Sequence, residues 1–186
     1  MHRIHAHLWI GVNLLGSAPE DVVGLIAALP VGGIWSDDAG VDSLREDKYL
    51  QNSKSYQVAR DLSGWAGLYF GGTAFKTQSD VPPDQLPLVA RRAATFMDVV
   101  TSSGRGTGIA ADIEKVRILR EAIPDTPLGL ASGVTPENVG AYLPYVEAYL
   151  VATGIETARY SGILVPERTR QLAERIHAWN DGTTEK

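Results

Sequence analysis

Asp37, Asp38 and Lys76 are of types suited to proton transfer: carboxylates and an amine at the ends of neighbouring apolar runs can pass a proton to and from one small molecule. A lysine sheltered in such a place can also condense with a carbonyl compound to form a Schiff base. The competing structural reading has the aspartates satisfying loop amides and Lys76 solvated as a counter-ion. A second group of residues suits anions. Ser132-Gly133-Val134 and Thr153-Gly154 each close a short apolar run with a hydroxyl and a glycine. Glycine lets backbone N–H groups approach a phosphate closely, and the hydroxyl adds a further donor. The plainer alternative is that Gly133 and Gly154 only permit tight turns. Asn13, Ser102, Ser103 and Arg105 stand at comparable run ends and complete the candidate substrate-binding set.

Other chemistries find less support. Gly104-Arg105-Gly106-Thr107-Gly108 does not meet the dinucleotide fingerprint, because the last glycine position is Ile109 and the run ending near Ser132 supplies no acid for a ribose hydroxyl. It reads as a substrate-covering loop with Arg105 reaching an anion, or as plain loop. His2, His5 and His7 crowd the N-terminus, but metal ligation needs rigid support, so no metal and no cofactor are expected. The absence of cysteine removes disulfides and thiolate chemistry. A formal net charge of −5 argues against nucleic acid as a partner. No apolar run approaches the roughly 20 residues that span a bilayer, and the N-terminus lacks a signal-peptide core, so a cytoplasmic location is expected.

These residues need elements to position them. The 186 residues, 44% hydrophobic, suit one domain with a sizeable core, with 1–7 and 180–186 as frayed ends. Apolar runs at Leu8 to Leu15, Gly33 to Asp37, Gly67 to Phe75, Met97 to Ser103, Pro127 to Gly133 and Ala148 to Gly154 turn small and polar at their C-terminal ends. Strands of a parallel sheet covered on both faces read in this way. Amphipathic stretches lie between them. Ser17 and Glu20 have capping-box spacing, Asp84 to Phe96 and Asp112 to Ile123 are helical in pattern, and Asp112 suits an N-cap. Thr135-Pro136 offers an N-cap and a first-turn proline, and Pro166 to Trp179 forms the last helix. Asp42 to Leu62 reads as a loop or insertion followed by a helix near Ser53 to Leu62.

Strand and helix therefore alternate, which predicts an α/β fold: a parallel (β/α) barrel of TIM type, incomplete with six βα units, since a full barrel takes about 250 residues. An open doubly wound sheet of six strands is the main rival. In a barrel the candidate residues collect at the C-terminal mouth, while Asp98, at the start of its strand, serves stability. Trp9, Trp35 and Trp65 are expected to fill the core, and Tyr142, Tyr145 and Tyr149 to pack or receive a second subunit.

Four runs in order also resemble landmarks of the BtpA/SgcQ family: Ser36-Asp37-Asp38-Ala39-Gly40-Val41, Gly71-Gly72-Thr73-Ala74-Phe75-Lys76, Asp98 to Gly108, and Ser132 to Val139. The resemblance covers about Trp9 to Glu156. It implies a TIM barrel of the ribulose-phosphate-binding group whose first two βα units are absent here, and it places the family's acidic residue at Asp38. Members of that family have been linked to photosystem I assembly and to sugar utilisation. Gly104 to Gly108 and Ala152 to Glu156 further resemble phosphoribosylanthranilate isomerase, whose usual cysteine base has no counterpart in this chain. The expected function is binding of a phosphorylated small molecule, a sugar phosphate or phosphoribosyl compound, with isomerase- or lyase-type proton transfer. A non-catalytic assembly factor acting through protein partners is the alternative, and a phosphoribosylanthranilate-isomerase-like enzyme the second. Unpaired edge strands predict a homo-oligomer or a missing N-terminal segment.

Overall fold

The computed structural model describes residues 8–13, 15–41 and 46–182. His2, His5, His7, Leu14, Asp42 and the last four residues, all part of the sequence reading, lie outside them. The strands are β1 (Gly11–Val12), β2 (Gly33–Val41), β3 (Leu68–Thr73), β4 (Val99–Ser103), β5 (Leu128–Ala131) and β6 (Ala148–Leu150). The helices are α1 (Pro19–Ile26), α2 (Glu46–Ser63), α3 (Leu86–Ala94), α4 (Ile113–Ala122) and α5 (Pro166–Asn180).

All six strands pair parallel in chain order, β1-β2-β3-β4-β5-β6. That order never reverses, so the doubly wound rival is excluded. Right-handed crossovers that always step the same way put their helices on one face of the sheet, and such a sheet curls. Residues of β1 and β6, the two end strands, line one cavity on the concave face, so the fold is an incomplete TIM-type barrel of six parallel strands.

The core lies between the convex face and the helices. Ile34, Tyr69, Val100, Leu128 and Leu130 from the strands meet Val22 and Val23 of α1, Val89 of α3, and Val116 and Leu119 of α4. Each of these side chains, once fully buried, contributes roughly 1.5–3 kcal/mol. Tyr56 anchors the otherwise polar α2 by stacking on Tyr69, with ring centroids 4.4 Å apart. Beneath the strands, at their N-terminal ends, Arg60 donates to Asp98 at 2.8 Å and to the Gly67 carbonyl at 2.8 Å, and Asp98 also accepts the Tyr69 N–H at 2.7 Å. Asp98 is thus a tie between α2, β3 and β4 at the stability end of the sheet.

Several local expectations are corrected. α1 starts after Ala18, not Ser17, because Pro19 with its preset φ takes the first helical position, and no side chain caps it. α2 begins at Glu46 instead of near Ser53, as suits a stretch rich in Leu, Gln, Lys and Arg. The helix expected from Thr135-Pro136 is absent. Asn138 instead accepts the Thr135 N–H and donates to the Gly133 carbonyl, and only one 3₁₀ turn forms at Val139–Ala141 before Pro144. Glycine at 140 and proline at 144 make a longer helix costly there. Trp65 is buried, but Trp9 is 54% exposed and covers the glycines of β1 and β2 from the concave side.

Candidate functional site

The concave cavity measures about 970 Å³. Its polar rim is built where strands end. β3 runs into Ala74, which takes a left-handed φ of +48°, and the next two residues bring Lys76 over the cavity. The Lys76 amide is fixed by the Ser103 hydroxyl at 2.9 Å, and its Nζ stands 3.5 Å from the Ser132 hydroxyl. β5 is followed by Ser132, a non-glycine residue at φ +77°, which donates to the Gly106 carbonyl at 3.2 Å. Holding such a backbone costs on the order of 1 kcal/mol, and strain of this kind gathers at ligand sites.

The two late loops converge on one rim. A Cβ on Gly154 would lie 1.9 Å from the Val134 carbonyl oxygen, and one on Gly133 would lie 2.2 Å from the Ile109 backbone. Only glycine lets these loops pack so closely. Ser132, Gly133, Val134, Thr153 and Gly154 all line the cavity, and across the mouth so does Asn13, the residue after β1. Among the described residues no Asp or Glu lines it, so its one charged side chain is Lys76.

The remaining sequence candidates go elsewhere. Ser103 and Arg105, together with Lys76, line a second cavity of about 560 Å³ between the loops that follow β3 and β4. Ser102 is buried and donates to the Ala74 carbonyl. Asp37 and Asp38 line neither cavity. They lie within β2, where the register against β3 shifts between Ser36 and Val41. Asp37 accepts from the Asn13 amide at 3.2 Å. Asp38 is exposed, accepts from the Gly40 N–H at 2.7 Å and from Gln78 at 2.9 Å, and faces Lys48 at 3.9 Å. The acid–base trio is therefore split, with Lys76 in the cavity, Asp37 next to one of its lining residues and Asp38 on the outer side of the strand end.

Residues outside the sequence set also shape the rim. Thr107 lines the cavity. A strap after β6, closed by the Glu156–Leu164 bridge, carries Tyr160 at φ +63° with Arg159 over its ring. A hydrogen bond with Thr107, then one with Arg159, and the charge of Lys76 hold the Tyr160 phenol below its usual range, so the strap tip stands beside the rim. Lys115 of α4 is the other addition, and its signal was present in the sequence: it lies four residues before Leu119, on the inward face of the helix. Among the described residues no three His, Asp or Glu side chains gather in a way that could hold a metal ion, and no helix is long and apolar enough to cross a membrane.

No protein-family model matches the chain, and no curated protein matches it. Among solved structures, phosphoribosyl anthranilate isomerase from Thermus thermophilus is similar at 13% identity, over 92% of this chain and 100% of that one, with a TM-score of 0.43. A phosphoribosyl anthranilate isomerase in complex with reduced 1-(o-carboxyphenylamino)-1-deoxyribulose 5-phosphate is 12% identical over 92% and 99%, with a TM-score of 0.33. A truncated 3-deoxy-D-arabino-heptulosonate 7-phosphate synthase from Thermotoga maritima is 12% identical over 94% and 87%, with a TM-score of 0.34. At such scores the fold rests on the strand order and curvature of this chain.

Proposed function

We propose that the protein binds a phosphorylated small molecule, of the sugar-phosphate or phosphoribosyl kind, in the concave cavity. The anion is held by Lys76, Ser132 and Thr153 and by the backbone beside Gly133, Val134 and Gly154. One observation carries this reading: the cavity presents an ammonium, the aliphatic hydroxyls of Thr107, Ser132 and Thr153 and the Asn13 amide, with no carboxylate among the described residues. An anion entering it meets donors and a positive charge, and charge-assisted hydrogen bonds of that kind are the strong ones. Ser103 and Arg105 hold the part of the ligand that reaches the second cavity.

The reaction class we propose is isomerase- or lyase-type proton transfer beside a carbonyl, with Lys76 as the proton-handling amine. Asp37, bonded to Asn13, is the nearer carboxylate, and Asp38 braces the strand end from which Asp37 projects. Membership of the BtpA/SgcQ family and a cytoplasmic location belong to the same proposal. The alternative of an assembly factor rests on a different observation, the exposure of Leu8, Trp9 and Leu68 along the sheet.

The test is titration with inorganic phosphate, ribose 5-phosphate and other sugar phosphates, followed by calorimetry and by 31P chemical shift. Saturable binding is expected, weakened about ten- to a hundredfold in K76M, the loss of one charged hydrogen-bond partner. Absence of saturable binding, or equal affinity in K76M, rejects the reading.

A further inference from the structure

Lys115 lies outside the concave cavity and lines the second one. Asp112 caps α4 by accepting the Glu114 N–H at 2.9 Å, which sets the first turn of the helix. From that turn the Lys115 side chain runs back towards the C-terminal ends of β3 and β4. Its Nζ donates to the Ala74 carbonyl at 2.5 Å and to the Ser103 carbonyl at 2.9 Å. It also lines the second cavity, beside Phe75, Leu86, Ser103 and Ile109. Lysines ordinarily keep the ammonium in water and bury only the stem. Here the head itself is enclosed.

Enclosure disfavours the charged form, and it is the largest influence on this group. The charges facing it are mixed: Asp80 on the loop after β3 and Asp112 at the start of α4 favour the proton, while Arg105 on the loop after β4 opposes it. Lys76 lines the same cavity. The balance brings the amine down to about 8. Its geometry then matters. A neutral amine has two N–H bonds, and both have a carbonyl to donate to. The lone pair is left as the remaining vertex, and carbonyl oxygens cannot donate to it. Such an amine has a sizeable neutral fraction near neutral pH and is fixed in orientation, the two conditions for a lysine nucleophile.

We propose that Lys115 is a carbonyl-reactive amine and that the second cavity takes a small aldehyde or ketone as an imine on its Nζ. The Nζ lone pair forms the C–N bond while the carbonyl π pair moves to oxygen, which takes up the proton that nitrogen loses. The resulting hydroxyl is protonated by solvent and leaves as water as the nitrogen lone pair forms the C=N bond, and the iminium so formed returns its N–H proton to solvent. One water is released for each imine, and no oxidant or reductant is consumed. This inference goes beyond the phosphate reading and does not depend on it.

The chain has only five lysines, Lys48, Lys54, Lys76, Lys115 and Lys186, so the test can be read residue by residue. The whole protein is incubated with glycolaldehyde, which carries no phosphate, and sodium cyanoborohydride, and the reduced adducts are mapped by peptide mass spectrometry. Lys115 is expected to be labelled at least tenfold faster than any other lysine side chain, the α-amino group being counted apart. The rate should fall as the pH drops below about 8. K115R should abolish the adduct at that position and leave the far-ultraviolet circular dichroism intact. Even labelling of the lysines, preferential labelling of Lys76, or a Lys115 rate that does not change between pH 6 and 9 overturns the proposal. Because the first measurement uses the unmodified chain, a variant that fails to fold leaves it decisive. Loss of phosphate binding with Lys115 labelling intact would reject only the anion site.

Discussion

At the scale of residues, the glycine at 154 is the most exacting position of the rim. A methyl group there would lie 1.9 Å from the Val134 carbonyl oxygen, far inside van der Waals contact with backbone that cannot swing aside. G154A is therefore expected to lower stability by about 2–3 kcal/mol, within the usual range for overpacking. It should also weaken phosphate binding at least tenfold, because the loops after β5 and β6 are forced apart. Urea denaturation and the phosphate titration measure the two effects separately. A G154A protein with unchanged stability and affinity would show that the loops do not cooperate. Gly133 and Gly154 were legible in the sequence as run-end glycines. Lys115 was overlooked because one more charge beside Glu114, Arg117 and Glu121 looks like solvated surface, although its spacing from Leu119 turns it inward.

At the scale of elements, the strand ends carry the site and the strand starts carry stability. Asp98 joins three elements through Arg60 and the Tyr69 N–H, and both members of the ion pair are less than a third exposed, at 26% and 28%. D98A strands a guanidinium and a backbone donor, so a loss of about 2 kcal/mol is expected. Phosphate affinity should stay within twofold of the parent, since Asp98 lies at the opposite end of the sheet. A binding loss comparable to that of K76M would contradict this division of labour. The elements themselves were read well where a pattern was local, as with the Asp112 cap of α4 and the Pro166 start of α5. They were misread where side-chain bonds compete with helix. Asn138 takes the Thr135 amide and ties it to Gly133, a tertiary choice that capping statistics do not contain. β2 likewise runs on to Val41 through an irregular register, which carries Asp38 away from the cavity.

At the scale of the molecule, the sheet of the described residues ends in two open edges. Among those residues β1 and β6 each have a strand on one side only, and parallel edge strands leave rows of unpaired backbone groups. The concave side also exposes Trp9 at 54% and Leu8 at 47%, where further staves of a closed barrel would lie. Burial of that surface against a second copy is the expected remedy. Sedimentation velocity across a range of micromolar concentrations should give species heavier than the 20.0 kDa chain. A single 20.0 kDa species throughout would refute self-association.

Apolar runs that turn small and polar at one end, separated by amphipathic stretches, were enough to read parallel βα units and the rim on which the candidate residues stand. Burial on both faces imposes that pattern locally, strand by strand, so it survives in the chain order of the amino acids. Which of those residues share a cavity was a matter of curvature and register. Lys76 meets Ser132, and Gly154 meets Val134, because the curl of the sheet sets the distance between loops far apart in the chain. Asp38 is lost from that company through an irregularity in one strand, and Lys115 is brought within reach of β3 and β4 by the packing of one helix. Periodicity reports the direction of a side chain from its own element, whereas its neighbours are set by how the elements pack.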